Sequence, residues 1–109
     1  MPLTVSTEHA ADTLRVLSHP VRLQIMEHAA AGEISVGALS SALGLGQPTT
    51  SQHLRVLRDH GLLQAKKDGQ RRLYSVSPGP LEEVRFVLDG IWTAPLERLR
   101  TAAEQRAGG

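Results

Sequence analysis

Cysteine is absent from the 109-residue chain. That single absence removes disulfides, thiolate metal sites and cysteine nucleophiles. Aromatic residues are scarce too, with one Trp, one Tyr and one Phe, so a core must be assembled from Leu, Val, Ile and Ala. No apolar run approaches the roughly 18 residues a membrane span requires, and no basic-then-apolar leader opens the chain. The expectation is a soluble, cytoplasmic protein with no membrane partner. Nothing resembles a nucleophile–base pair or a phosphate-cradling glycine loop, and the lone Gly44-Leu45-Gly46 is turn chemistry; an enzyme is not expected.

What is present is ordinary in amount and uneven in placement. Hydrophobic residues make up 40% of the chain, too many for a disordered segment and enough for one domain spanning residues 1–109. A single core of this size is only modestly stable, so a helical interface between two copies would help. Net charge is only +1, yet Gly46 to Val76 holds Arg55, Arg58, Lys66, Lys67, Arg71 and Arg72 against Asp59 and Asp68, giving +4, and the rest of the chain carries −3. A basic segment in a nearly neutral chain points to a local polyanion-binding surface.

Ser6 or Thr7 is placed to cap a first helix with Ala10, Ala11, Leu14 and Leu17 at helical spacing. Ser18-His19-Pro20 ends it and opens a second, carrying Val21, Leu23, Ile25, Met26 and Ala29 and stopped by Gly32; together these N-terminal helices span 6–31. Glu33-Ile34-Ser35 is short and extended. Ser35 caps a brief helix from Val36 to Leu43 with Val36, Leu39 and Leu43 inward. After the Gly44–Gly46 turn, Gln47 to His60 reads as a helix with Thr50, Leu54 and Leu57 on one face, closed by Gly61 and Leu62. Helix, turn and helix occupy 36–61. The period then becomes extended: Leu63 to Lys67 and Arg71 to Val76 flank Asp68-Gly69, read as a two-residue hairpin loop within 63–76. After Ser77-Pro78-Gly79-Pro80 a last helix covers 81–106, with Val84, Leu88, Ile91, Leu96 and Leu99 on one side. Gly90 and Pro95 predict a kink or break between them, and Ala107-Gly108-Gly109 is expected to fray. The fold class is mainly α (α+β): five helices and a two-stranded hairpin.

Helix, tight turn, helix, then a basic hairpin is the order of a winged helix-turn-helix. An α-helix fits the major groove, and its leading residues reach base edges. Here they are Gln47, Pro48, Thr49, Thr50, Ser51 and Gln52, short or amide side chains without charge. Arg55 and Arg58 follow, and the hairpin carries Lys66, Lys67, Arg71 and Arg72, suited to adjacent backbone or minor groove.

The sequence resembles the ArsR/SmtB family of small winged helix-turn-helix transcriptional regulators. The residues that carry the likeness are Leu17-Ser18-His19-Pro20-Val21-Arg22, the run from Gln47 to Leu57, Gly61-Leu62-Leu63, and Lys67-Asp68-Gly69-Gln70-Arg71-Arg72-Leu73-Tyr74. The Ser-x-His-Leu-x-x-Leu-x-x-x-Gly-Leu pattern at 51–62 and the glycine-containing wing ending in Tyr74 are specific together. The resemblance implies double-stranded DNA as partner and a homodimer. By position, Gln47, Thr49, Ser51 and Gln52 would read bases, His53 and Arg55 would meet the backbone, and Lys67, Arg71 and Arg72 would belong to the wing. A buried hydrogen-bonding role for His53 stays open. The first and last helices would pair across a two-fold axis through Leu14, Leu17, Val84, Leu88, Ile91, Trp92 and Leu99, although an intramolecular core helix would explain the same apolar stripe. The expected function is a repressor occluding a pseudo-palindromic operator, with activation as the alternative.

Many members of that family sense metals, and here the residues depart from the pattern. Ser35 and Gly37 lie where a Cys pair would bind thiophilic metals, and the last helix offers Glu82, Glu83, Asp89, Glu97 and Glu104 but no His. The remaining donors, Glu8, His9 and Asp12 in the first helix, suit nickel or zinc. Their bland reading is a solvated helix face. The remaining possibilities are a small organic effector, a partner protein or no ligand at all. A protein-docking winged helix is the alternative of another class, but it calls for an apolar patch on the reading helix, whose face is polar.

Overall fold

The structure, a computed structural model, describes residues 2–108 and the side chains of residues 7–107. The elements in chain order are α1 (Pro2–Leu17), α2 (Pro20–Ala31), β1 (Ile34–Ser35), α3 (Val36–Leu43), α4 (Gln47–Asp59), β2 (Leu63–Asp68), β3 (Arg71–Val76) and α5 (Gly79–Gly108). α1 starts ahead of the cap expected at Ser6 or Thr7. Hydroxyl residues cost a helix interior only a few tenths of a kcal/mol (~0.5) relative to Ala, so a cap-like residue need not end one. The Ser6 side chain lies outside the described side chains.

The centre of the molecule is an aliphatic core joining α2, α3, α4 and the sheet. Ile25, Leu39, Leu54, Leu57 and Leu62 are fully buried, with Met26, Ala29, Leu63 and Tyr74 around them. Each fully buried aliphatic side chain contributes on the order of 1.5–3 kcal/mol. Leu23, the second apolar residue of α2, is exposed. The α2 start is set by His19, whose Nδ1 accepts from Val21 N at 3.2 Å while Pro20 takes the first helical position.

The two turns of the central unit are made alike. α3 ends on Gly44 at φ +67°, with Leu45 N donating to Ser40 O at 3.0 Å. α4 ends through Gly61 at φ +77°, with Gly61 N donating to Arg58 O and Leu62 N to Leu57 O, both at 2.9 Å. This is the paired closure in which a left-handed glycine satisfies the last carbonyls. It turns the chain so that Leu62 joins Leu57 in the core.

The sheet has three antiparallel strands in the order β1-β3-β2, one more than the hairpin read from the sequence. β1 is only two residues, Ile34 opposite Tyr74 and Ser35 opposite Leu73, too short to show an alternating pattern of its own. In the hairpin Asp68 pairs with Arg71. The loop is therefore Gly69-Gln70 and not Asp68-Gly69, with Gly69 at φ +65° in the first central position; glycine takes the left-handed conformation there at no steric cost.

α5 runs unbroken through Gly90 and Pro95 to Gly108, contrary to the expected break and to the frayed tail at 107–108. Gly109 lies outside the described residues. A proline forfeits one intrahelical bond, but good helix formers flank this one, and the i,i+3 and i,i+4 pairs Arg85–Asp89, Arg100–Glu97 and Arg100–Glu104 bracket the weak point. The helix also begins two residues earlier than read, at Gly79, because Pro80 suits a first turn. α5 packs along α1, where Ala10 and Val84 are both buried and His9 pairs with Glu83, and its later residues are exposed. The protomer measures 67 × 33 × 22 Å with a radius of gyration of 18.8 Å, against about 13 Å for a compact chain of this length.

Candidate nucleic-acid interface

α4 divides cleanly by face. Thr50, Leu54 and Leu57 are buried, and Thr50 Oγ1 donates back to Gly46 O at 3.0 Å, which ties the helix start to the turn. Gln47, Thr49, Ser51, Gln52 and Arg55 are all exposed on the other face. The four uncharged residues offer donors and acceptors over the first two turns, the part of a reading helix that meets base edges. The Gln47 amide nitrogen lies beside Gly37 at the start of α3, 3.6 Å from where a Cβ would stand.

The cations around this face differ in availability. Arg55, Arg58, Lys67 and Arg72 have no ion pair among the described residues. Lys66 is paired with Glu33 at 3.0 Å and Arg71 with Asp68 at 3.0 Å across the hairpin turn. Exposed pairs of this kind are worth about 0–1 kcal/mol, too little to withhold either cation from a phosphate.

His53 sits at the back edge of α4. Its Nδ1 accepts from Arg22 Nε at 3.3 Å, and its ring tilts against His19 with centroids 4.6 Å apart. Burial holds its imidazole below the ordinary value, and the neighbouring His19 and Arg22 charges push the same way. The hydrogen-bonding alternative left open for His53 is thus present in the geometry. With Nδ1 engaged, only the Nε2–H edge of the neutral ring remains to donate. Arg22 also donates from Nη1 to Val16 O at 3.2 Å, so one guanidinium ties α4, α2 and the end of α1 together. Arg22 stands in the run that carries the family resemblance, but a helical arginine far along the chain from His53 carries no local signal of this bond.

The three metal candidates are not gathered. His9 Nδ1 pairs with Glu83 of α5 and its ring stacks on His60 at 5.1 Å. Asp12 pairs with Arg15. His60 Nε2 in turn lies 2.8 Å from Thr13 Oγ1. Among the described residues no group of three or more His, Asp or Glu side chains is placed to hold a metal ion. The set read as a dimer face also splits. Val84 is buried by its own chain and Leu17 packs on its own core, so these two serve the protomer. Leu14, Leu88, Ile91, Trp92 and Leu99 are exposed, and Phe86 and Leu96 join them.

A polar reading helix set by a glycine turn against a short preceding helix, with a basic two-strand flap beside it, defines a winged helix-turn-helix DNA-binding transcriptional regulator. The comparisons with known proteins agree. The helix-turn-helix domain family matches residues 17–64. The chain is 42% identical over 84 residues to the biofilm growth-associated repressor of Xylella fastidiosa, covering 77% of this chain and 74% of that one. It is 36% identical to the HTH-type transcriptional regulator YgaV of Escherichia coli, covering 83% and 92%. The solved structure of reduced HlyU from Vibrio cholerae superposes with a TM-score of 0.69 at 32% identity, covering 84% and 96%. The chain belongs to the ArsR family of transcriptional regulators.

Proposed function

We propose that the chain works over residues 1–109 as a homodimeric repressor that occupies a pseudo-palindromic operator. In this reading Gln47, Thr49, Ser51 and Gln52 read bases. Arg55, Lys67, Arg71 and Arg72 hold the backbone, and His53 contributes at most its Nε2–H. The observation that carries the dimer is the outer half of α5: Ile91, Trp92 and Leu99 are each about two-thirds exposed, at 65%, 68% and 67%. A helix with that many large apolar side chains in water has a cover to find. A two-fold arrangement supplies it from the same face of a second copy, with Leu14 and Leu88 at the margin. Two reading helices then meet major grooves about one helical turn apart. The relative named as a repressor supports the sign of regulation. No helix among the described residues is long and apolar enough to cross a membrane.

The test is sedimentation of the wild type beside Ile91→Glu, followed by titration of both onto the chain's own promoter fragment. A dimeric wild type with a monomeric, folded variant that loses operator binding is expected. A monomeric wild type that still protects a symmetric site would contradict the reading.

A further inference from the structure

Between the wing and the start of α3 lies a cleft of about 460 Å³, bordered by Ser35, Gly37, Gln70, Arg72 and Tyr74, with Arg71, held by Asp68, also at its edge. Strand alternation places Arg72 and Tyr74 on one face of β3, and β1 runs beside them with Ile34 opposite Tyr74. Tyr74 is only 8% exposed and its ring belongs to the core. Its hydroxyl makes no hydrogen bond among the described residues and is not sealed from solvent, and Tyr74 borders the cleft. A phenylalanine would fill that part of the core equally well, so the oxygen is the part without a protein partner. Arg72 also has no ion pair there, since Asp68 is taken by Arg71. The first turn of the eight-residue α3 closes the far side, where backbone N–H groups lack acceptors within the helix. Ser35 Oγ accepts from Ala38 N and keeps its own proton to donate. No carboxylate borders the cleft, and each polar side chain around it can donate. The occupant such a lining suits is an oxyanion. Gln47 beside Gly37 makes the cleft continuous with the reading face of α4.

We infer that this cleft seats one phosphodiester of the operator backbone, with Arg72 supplying the charge and the Tyr74 hydroxyl and the α3 first turn supplying neutral donors. The inference rests on the wing lying against DNA and goes beyond it. It makes the wing and α3 two jaws on one phosphate, which fixes the depth at which Gln47 enters the groove.

Tyr74→Phe keeps the ring in the core and removes only the oxygen. A hydrogen bond to a charged group is stronger than a neutral one, so loss of the hydroxyl is expected to weaken operator and random duplex alike by about tenfold or more, about 1.4 kcal/mol per factor of ten. The salt slope should not change, because no charge is lost. Arg72→Ala should weaken both duplexes and lower the log–log salt slope by about one. In the double variant the loss should be well short of the product of the two, because both groups hold the same phosphate. Neutral methylphosphonate substituted along one operator strand should find a single position that costs the wild type about tenfold and the double variant nothing. Multiplying losses, or a Tyr74→Phe protein that binds as the wild type does, would overturn the shared seat while leaving the wing on DNA. An unchanged slope in Arg72→Ala would overturn both. Inorganic phosphate tests the other source of the same chemistry. Weak displacement that competes with operator fits the proposal, and tight saturable binding indifferent to operator would assign the cleft to a free anion instead.

Discussion

The two halves of this molecule solve burial in opposite ways. The central unit, α2 to β3, closes on itself: five aliphatic side chains reach essentially zero exposure, and the Gly61 turn folds Leu62 back into the core. Among the described residues the outer half of α5 finds no cover for Ile91, Trp92 and Leu99, which it carries to solvent. The first half is therefore a finished shape that can present an uncharged polar face, and the second leaves an apolar face that the proposed dimer would cover. In the proposed dimer, sequence specificity would belong to the part that needs no partner, and symmetry to the part that does.

The sharpest way to break that contrast is to strike each half with one substitution. Leu54→Ala empties a fully buried site, and large-to-small changes of this kind cost about 2–5 kcal/mol. Urea unfolding should show a loss in that range, along with loss of DNA binding. Ile91→Glu should leave the protomer's urea midpoint at high dilution almost unchanged and abolish association instead. Were Ile91→Glu to unfold the protomer itself, α5 would be part of the same core and the contrast would be false.

A smaller effect is expected at the closure of α4. Gly61 holds φ +77° with a Cβ position only 3.8 Å from Pro80. Gly61→Ala has room but must adopt a left-handed backbone, costing about 1–2 kcal/mol. The equivalent change on α5, Gly90→Ala, meets nothing within 4 Å in a helical setting and should stabilise by about 0.4–1 kcal/mol. Opposite signs at these two glycines, read as shifts in thermal midpoint, would confirm that one is a turn device and the other only a weak helix residue.

The central unit was legible in the sequence because its signals are local and agree with one another. Gly44 and Gly61 stand at helix ends, Ser35 stands three residues before the amide it caps, and Thr50, Leu54 and Leu57 share one face. What was misread was decided at longer range or by small differences. β1 exists only because β3 lies beside it. The hairpin loop sits one residue later than read because Asp68 still pairs with Arg71. Pro95 does not break α5, since one lost hydrogen bond is outweighed by the turns on either side. In the candidate site, the exposed face of α4 could be read from period alone. The Arg22–His53 bond and the unpartnered Tyr74 hydroxyl could not, because both depend on which elements meet.

The smallest expected effect concerns pH. His53 is held below the ordinary imidazole value, so as pH falls through about 6.5 the unfolded chain takes up its proton before the folded one does. This contribution is fully present above that value and is lost as pH falls toward the lowered folded value. The Arg22 donor, which needs an unprotonated Nδ1, is lost with it. Comparing urea midpoints at pH 7.5 and 5.5, His53→Gln should show a shallower decline than the wild type. An identical decline would remove His53 from the account of how α4 is held.

The most direct test is the mass of the complex formed on the chain's own promoter fragment, measured by light scattering at low ionic strength alongside a cleavage footprint. Two chains per duplex and two protected half-sites about one helical turn apart are predicted. One chain per duplex, protecting a single asymmetric stretch, would contradict the claim that a finished reading unit is doubled through an unfinished helix.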